Sequence, residues 1–166
     1  IKSHGFRLPP FAYFQPSELV ARKREYQAIF GARLGWDITD YGEGHFDEKG
    51  LFLFTVRNGS MSDLRSGKGM CYAEKIMISR QGQVSPSHRH IIKTEDIINR
   101  GGATLAIEMF ESDANGEIDL KASVPVFCDG VAKMFKAGDI LRLAPGESVT
   151  LSPVSYTHLR AHETRI

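Results

Sequence analysis

Apolar residues in this chain fall into two textures. Between Ser17 and Phe30 they recur at helical spacing: Leu19, Val20, Tyr26, Ile29 and Phe30 gather toward one face, with Arg22, Lys23, Arg24 and Glu25 mostly elsewhere. This predicts one N-terminal helix opening at Pro16-Ser17-Glu18, with Ser17 as its N-cap. Ahead of it, Ile1 to Gln15 carries Pro9-Pro10 among Phe6, Phe11, Tyr13 and Phe14. Paired prolines oppose a helix, so an extended arm laid on a surface is expected there. From Trp36 onward the texture becomes short apolar runs broken by glycine and polar turns.

Those runs predict strands at Leu51–Arg57, Tyr72–Ser79, Gln83–His90, Thr104–Phe110, Ala122–Phe127, Ala132–Phe135, Ile140–Leu143 and Ser148–Leu151. Turn signals separate them, including Asn58-Gly59, Gln81-Gly82, Gly101-Gly102, Asn115-Gly116 and Pro145-Gly146. Asp129-Gly130 between two apolar runs is a two-residue hairpin signal. Many short strands at this spacing predict an all-β sandwich or barrel, and no internal repeat or low-complexity linker divides the chain.

Composition narrows the partners. Lys and Arg total 21 against 20 for Asp and Glu, a net charge of +1, with no basic stripe or acidic tail. Neither nucleic acid nor an anionic membrane surface is an expected partner on that balance. The longest apolar runs, such as Leu51 to Val56, are far too short to span a bilayer. Cys71 and Cys128 have no zinc spacing and make no disulfide framework, which favours buried thiols in a reducing cytoplasm. Residue 1 is Ile rather than Met, so the natural N-terminus is expected upstream.

The chemistry concentrates between Gly82 and Gly102. His88 and His90 stand two apart, so on a strand both imidazoles face one way. Glu95 follows after a stretch long enough for a tight turn that returns a carboxylate beside them. Two imidazoles and a carboxylate on one face hold a divalent first-row metal with coordination positions left open. The plain alternative is a pair of solvent-facing strand histidines. Asp96 should face away from Glu95 and Arg89 away from the histidines, while His4 and His45 read as surface residues.

The spacing Gly-x5-His-x-His-x4-Glu-x6-Gly, carried by Gly82, His88, His90, Glu95 and Gly102, resembles the first motif of the cupin superfamily. The segments His4 to Tyr13, Leu34 to Asp40, Tyr72 to Lys75, Glu95 to Gly102 and Leu141 to Ser148 resemble the bacterial D-lyxose ketol-isomerases. That resemblance implies a mainly β fold, a cupin-type jelly-roll barrel with an N-terminal helix. It implies a cytoplasmic, manganese-dependent homodimer that interconverts D-lyxose and D-xylulose, with D-mannose and D-fructose as a further pair. The metal ligands it implies are His88, His90 and Glu95. Lys75, in an otherwise apolar strand, matches a lysine that lines the active site of similar isomerases; the bland reading is a solvent-facing lysine paired with Glu74.

A second cupin motif, Gly-x5-Pro-x-Gly-x2-His, is not met. Counted from Gly146, its last three positions hold Ser152, Val154 and Thr157, and His158 comes one residue late. Residues 154–164 resemble translated sequencing-adapter read-through. The expectation is therefore a single cupin domain over residues 1–153, a non-native tail over 154–166, and a barrel incomplete at its C-terminal side, pairing there with an edge strand at most. The fourth ligand and a catalytic carboxylate are expected beyond residue 153. A non-catalytic sugar-binding or regulatory cupin, and an iron-dependent oxygenase, are the competing functions for the same triad.

Overall fold

The structure, a computed structural model, describes residues 1–89, 91–153 and 155–162, with the backbone alone at His4, Arg89, Tyr156 and 158–162. The chain divides into two compact units, the first Ile1–Thr39 with Leu51–Ile78, the second Asp40–Gly50 with the chain from Ser79 on. The expected mainly β class holds for the chain as a whole and most clearly in the second unit, while the first combines a three-stranded sheet with short helices.

In the first unit the N-terminal arm is not simply extended. It makes two turns of 3-10 helix, Lys2–His4 and Pro10–Tyr13. Pro9 is extended, and Pro10 takes the opening position of its turn, where the missing N–H is not needed. The single helix expected from Ser17 is instead two short ones, α1 (Pro16–Ala21) and α2 (Gln27–Gly31). The N-cap of α1 is Gln15, with Pro16 at the first helical position, so Ser17 lies inside the helix. Neither helix has a buried residue, and Val20 is 67% exposed. Without packing to sustain it, a continuous helix of this length has little to gain. Between the two, Arg22 Nε donates to Glu25 at 2.8 Å across the turn.

Three antiparallel strands complete this unit in the order β1 (Gly35–Thr39), β2 (Leu51–Asn58), β3 (Ala73–Ile78), with α3 (Met61–Arg65) between the last two. Ser60 caps α3, its hydroxyl accepting from Asp63 N at 3.1 Å. The arm closes one face of the sheet. Phe11 stacks on the fully buried Phe54 at 5.3 Å between ring centroids, and Trp36 meets Phe54 edge-on at 4.8 Å. Trp36 Nε1 donates to Ala12 O at 2.9 Å, which gives the indole its polar partner.

The second unit contains β4 (Val84–Arg89), β5 (Glu95–Ile98), β6 (Thr104–Ser112), β7 (Ile118–Asp119), β8 (Ser123–Cys128), β9 (Val131–Lys136), β10 (Ile140–Leu143), β11 (Ser148–Leu151) and β12 (Ser155–His162). One antiparallel sheet runs β10-β6-β12-β4, with β7 on β6; the other runs β5-β11-β8-β9. Alternate residues of both sheets meet in one core: Ile107, Met109, Leu141 and Leu143 from the first, Ile97, Val124, Val126, Cys128, Val149 and Leu151 from the second. Burial pushes the Cys128 thiol up from its ordinary value, whereas Cys71 is exposed. The Asp129-Gly130 hairpin forms as expected, with Cys128 opposite Val131 and φ of 49° and 80° at the turn residues.

Residues 155–162, expected to supply an edge strand at most, form β12 inside the first sheet, between β6 and β4. Ser155 and Thr157 are buried there at alternate positions, so the strand has a face small enough to lie over the core. No helix among the described residues is long and apolar enough to cross a membrane.

Asn99 joins the two sheets of this unit. Its Nδ2 donates to Ala103 O and to Leu143 O, each at 2.9 Å, and its Oδ1 accepts from Gly101 N at 3.1 Å. The side chain is buried, so an Asn99→Ala variant leaves two carbonyls and an amide to find other partners. Chemical denaturation should show a loss of about 1–3 kcal/mol with an unchanged m-value.

Candidate metal centre

The candidate ligands lie in the second unit, on β4 and β5, whose connection spans residues 90–94. Register decides which way they face. Thr157 pairs with Met109 on one side and His88 on the other, and cross-strand partners project to the same face of a sheet. Met109 is fully buried and Thr157 is 1% exposed, so His88 belongs to the core-facing side. Glu95 pairs with Leu151, which is likewise buried in the core. The turn between the strands thus returns a carboxylate to the side the imidazole faces.

His88 reaches that side through an irregularity. Position 159 of β12 pairs with Ser85, but position 157 pairs with His88, so β4 carries one residue more than its partner over this step. Such a bulge reverses the alternation and puts Ser85 and His88 on one face despite their odd spacing. The imidazole is then fixed by its own strand: Nδ1 lies 3.1 Å from Pro86 O. A carbonyl only accepts, so Nδ1 carries the proton and the ring's lone pair is on Nε2. A backbone carbonyl holding one nitrogen of a metal-binding histidine is the usual supporting arrangement. His88 is exposed and Glu95 half-buried, which sets the pair at the rim of the core.

His90 lies outside the described residues. Among those described, no three His, Cys, Asp or Glu side chains converge. Asp96 faces the other side of β5, as expected, where Thr150 Oγ1 donates to its Oδ1 at 2.5 Å. His45 is exposed, also as expected; the side chains of His4, Arg89 and His158 are outside the described set. Position 158 pairs with Glu108, one step out of phase with Thr157. Lys75 belongs to the first unit, on β3 opposite Thr55, with an exposed side chain. No ion pair with Glu74 is formed among the described residues.

The sequence pattern did not disclose what seats β4. The segment Asp40–Gly50 leaves the β1–β2 connection and packs against the start of this strand. Val84 N donates to Glu48 O at 2.8 Å, and Lys49 bridges Val84 in parallel fashion. Gln83, 1% exposed, donates from Nε2 to Phe46 O at 2.5 Å and accepts Arg80 N at 2.9 Å. Tyr41 Oη donates to the buried Ser85 Oγ at 3.0 Å. A Cβ at Gly50 would collide with Phe46 O and the Gln83 amide, so glycine is required there. The Glu48–Val84, Phe46–Gln83 and Tyr41–Ser85 partners are some 40 residues apart in the chain, out of reach of any local motif.

The sequence model of a family described as D-lyxose isomerase matches residues 1–166. A D-lyxose/D-mannose isomerase of Serratia proteamaculans is 47% identical over 150 residues, covering 90% of this chain and 64% of that protein. A protein of the same name from Escherichia coli O157:H7 is 44% identical over 154 residues, covering 92% and 66%. The chain therefore spans a little under two-thirds of the length of these relatives. Among solved structures, a predicted oxalate decarboxylase from Thermotoga maritima is 12% identical over 76% of this chain and 90% of its own, with a TM-score of 0.23, a likeness too distant to bear on chemistry.

The Asp40–Gly50 segment has its own pH dependence. Asp40 accepts Gly42 N at 2.9 Å and Gly44 N at 3.0 Å, and these two amides, Gly42 first, hold its carboxyl below the ordinary carboxylate range. A depressed folded-state pKa stabilises above the unfolded value of about 3.9, and that contribution disappears as pH falls through the folded value. In Asp40→Asn this acid-side loss should vanish from the stability–pH curve, and the Gly42 and Gly44 amides should exchange faster at neutral pH.

Proposed function

Because the chain belongs to the D-lyxose isomerase family, we propose that the whole protein is a metal-dependent aldose–ketose isomerase. Its substrates are D-lyxose and D-xylulose, with D-mannose and D-fructose as a second pair, in keeping with the names its relatives carry. The observation that carries the metal half of this reading is the shared core-side facing of His88 and Glu95, with the His88 proton committed to Pro86 O.

The donor set suits the group. Imidazole nitrogen and carboxylate oxygen together fit manganese, iron or another divalent first-row ion, and His88, His90 and Glu95 are the residues that would hold it. When bound, such an ion supplies Lewis acidity to the sugar's carbonyl and adjacent hydroxyl. The protein's own groups must then move protons. Isomerisation removes a proton from one carbon, delivers one to its neighbour, and shifts another between the two oxygens. An ammonium at Lys75 suits the oxygen steps: it can give a proton to the carbonyl oxygen as negative charge grows there and take one back from the neighbouring hydroxyl. The carbon steps need a base, which this reading leaves to a carboxylate outside residues 1–153. A homodimer, as in similar isomerases, belongs to the same reading.

An assay of the parent-length protein with added manganese, on a panel of pentoses and hexoses, tests the proposal. Ketose formation without oxygen uptake is the expected result; oxygen uptake would indicate an oxygenase, and sugar binding without turnover a regulatory protein. His88→Ala should lose bound manganese, measured by elemental analysis, and turnover with it, while circular dichroism stays unchanged. Lys75→Met should lower kcat by about 100-fold or more with manganese content unaltered. Loss of metal in Lys75→Met would remove the lysine from the proton-transfer role.

A further inference from the structure

The strand that bears His88 pairs with its neighbour in two registers. Val84 and Ser85 stand opposite positions 160 and 159, His88 and Arg89 opposite 157 and 156, and the extra residue between them is the bulge. Carried back evenly from His88, the ladder would set Pro86 opposite position 159 and turn Ser85 and Gln83 outward. A bulge interrupts the ladder, so the start of β4 must be held out of step against that even pairing. Gln83 is placed to do this from just ahead of the strand. Its side chain is 1% exposed, its Nε2 donates to Phe46 O, and its Oε1 accepts Arg80 N at 2.9 Å. A carbonyl only accepts and a backbone N–H only donates, so the two partners fix which way the amide points. Next to it, Val84 N donates to Glu48 O at 2.8 Å. Gly50 leaves room for the arrangement. A Cβ there would stand 2.6 Å from Gln83 Nε2, and φ at Gly50 is not left-handed, so space alone opposes alanine.

We propose that Gln83 is a positioning residue for the metal ligand His88, acting through the bulge. This rests on the metal half of the reading above. Buried, and bonded at both ends of its amide, Gln83 keeps Val84 and Ser85 one residue out of step with His88. The displacement keeps Pro86 O 3.1 Å from His88 Nδ1, which holds the proton there and leaves Nε2 as the donor to a metal. In an even ladder the Pro86 carbonyl would lie in the plane of the sheet, while the imidazole stands perpendicular to it. Releasing Gln83 therefore separates the imidazole from the carbonyl that orients it.

Gln83→Met keeps the volume and removes both hydrogen bonds; Gly50→Ala leaves the amide intact but crowds it. Nitrogen NMR of the metal-free full chain reads the His88 tautomer directly. Wild type should hold Nδ1–H, and in both variants that form should give way to Nε2–H. Manganese titration of the parent-length protein, followed by the spin resonance of the free ion, should give a Kd about tenfold higher in each variant, the effect of losing a group that orients a ligand. A residue that only stabilises the fold would lower the melting temperature and move neither reading. That result would overturn the proposal, as would an Nε2–H tautomer in wild type. Should Gly50→Ala not fold, Gln83→Met alone decides. A wild type that shows Nδ1–H, loses it in the variants and binds no manganese would sink the metal reading and leave Gln83 its role in fixing the imidazole. Manganese bound equally by wild type and variants would sink the proposal and leave the metal reading in place.

Discussion

Side chains alternate along a β-strand, and one extra residue in β4 decides what that strand presents. Without the bulge between Ser85 and His88, a core-facing Ser85 would turn His88 to the opposite side, away from Glu95. With it, the buried serine and the exposed histidine share a face, and the histidine's Nδ1 finds the carbonyl of Pro86 within the bulge itself. Proline suits this place because it has no N–H to leave unpaired where the ladder is interrupted. Everything proposed for this protein passes through that local departure from regular pairing.

A bulged strand at a sheet edge needs outside support, and the segment Asp40–Gly50 supplies it. The segment interrupts the β1–β2 connection of one unit to build the other. It covers the first residues of β4 with backbone pairing at Val84, a buried amide at Gln83 and a hydroxyl pair at Ser85. Covering part of an edge strand also limits its capacity to pair with another chain. The acidic turn at Asp40 and the compact Gly50 allow a segment of this length to lie so close.

On the other side of the turn, β5 is held with equal care. Ile97 packs in the core, and Asn99 ties the strand's exit to Leu143 and to the glycine turn that follows. The Glu95-to-Gly102 run therefore combines two kinds of residue. Glu95 faces the core side that His88 also faces, while Asn99 and the glycines hold the strand that carries it.

Much of this was legible in the chain's own pattern. The alternating apolar runs located eight strands, Asp129-Gly130 marked its hairpin, and the spacing from Gly82 to Gly102 singled out His88, His90 and Glu95. Those signals are local: periodicity and turn chemistry act over a few residues. The weak strands β1, β5 and β7 have too few apolar residues to show a period, and the sequence of β12 carries no run of alternating apolar residues. The expected helix is two short ones because neither has a fully buried residue, and propensity alone does little to sustain a longer helix. Only the tertiary structure could show that β4 is bulged, that Gln83 and Ser85 are buried, and that Tyr41 reaches a serine 44 residues away. Register and long-range hydrogen bonds are set by which strands pair and which surfaces meet, and no window of sequence contains both partners.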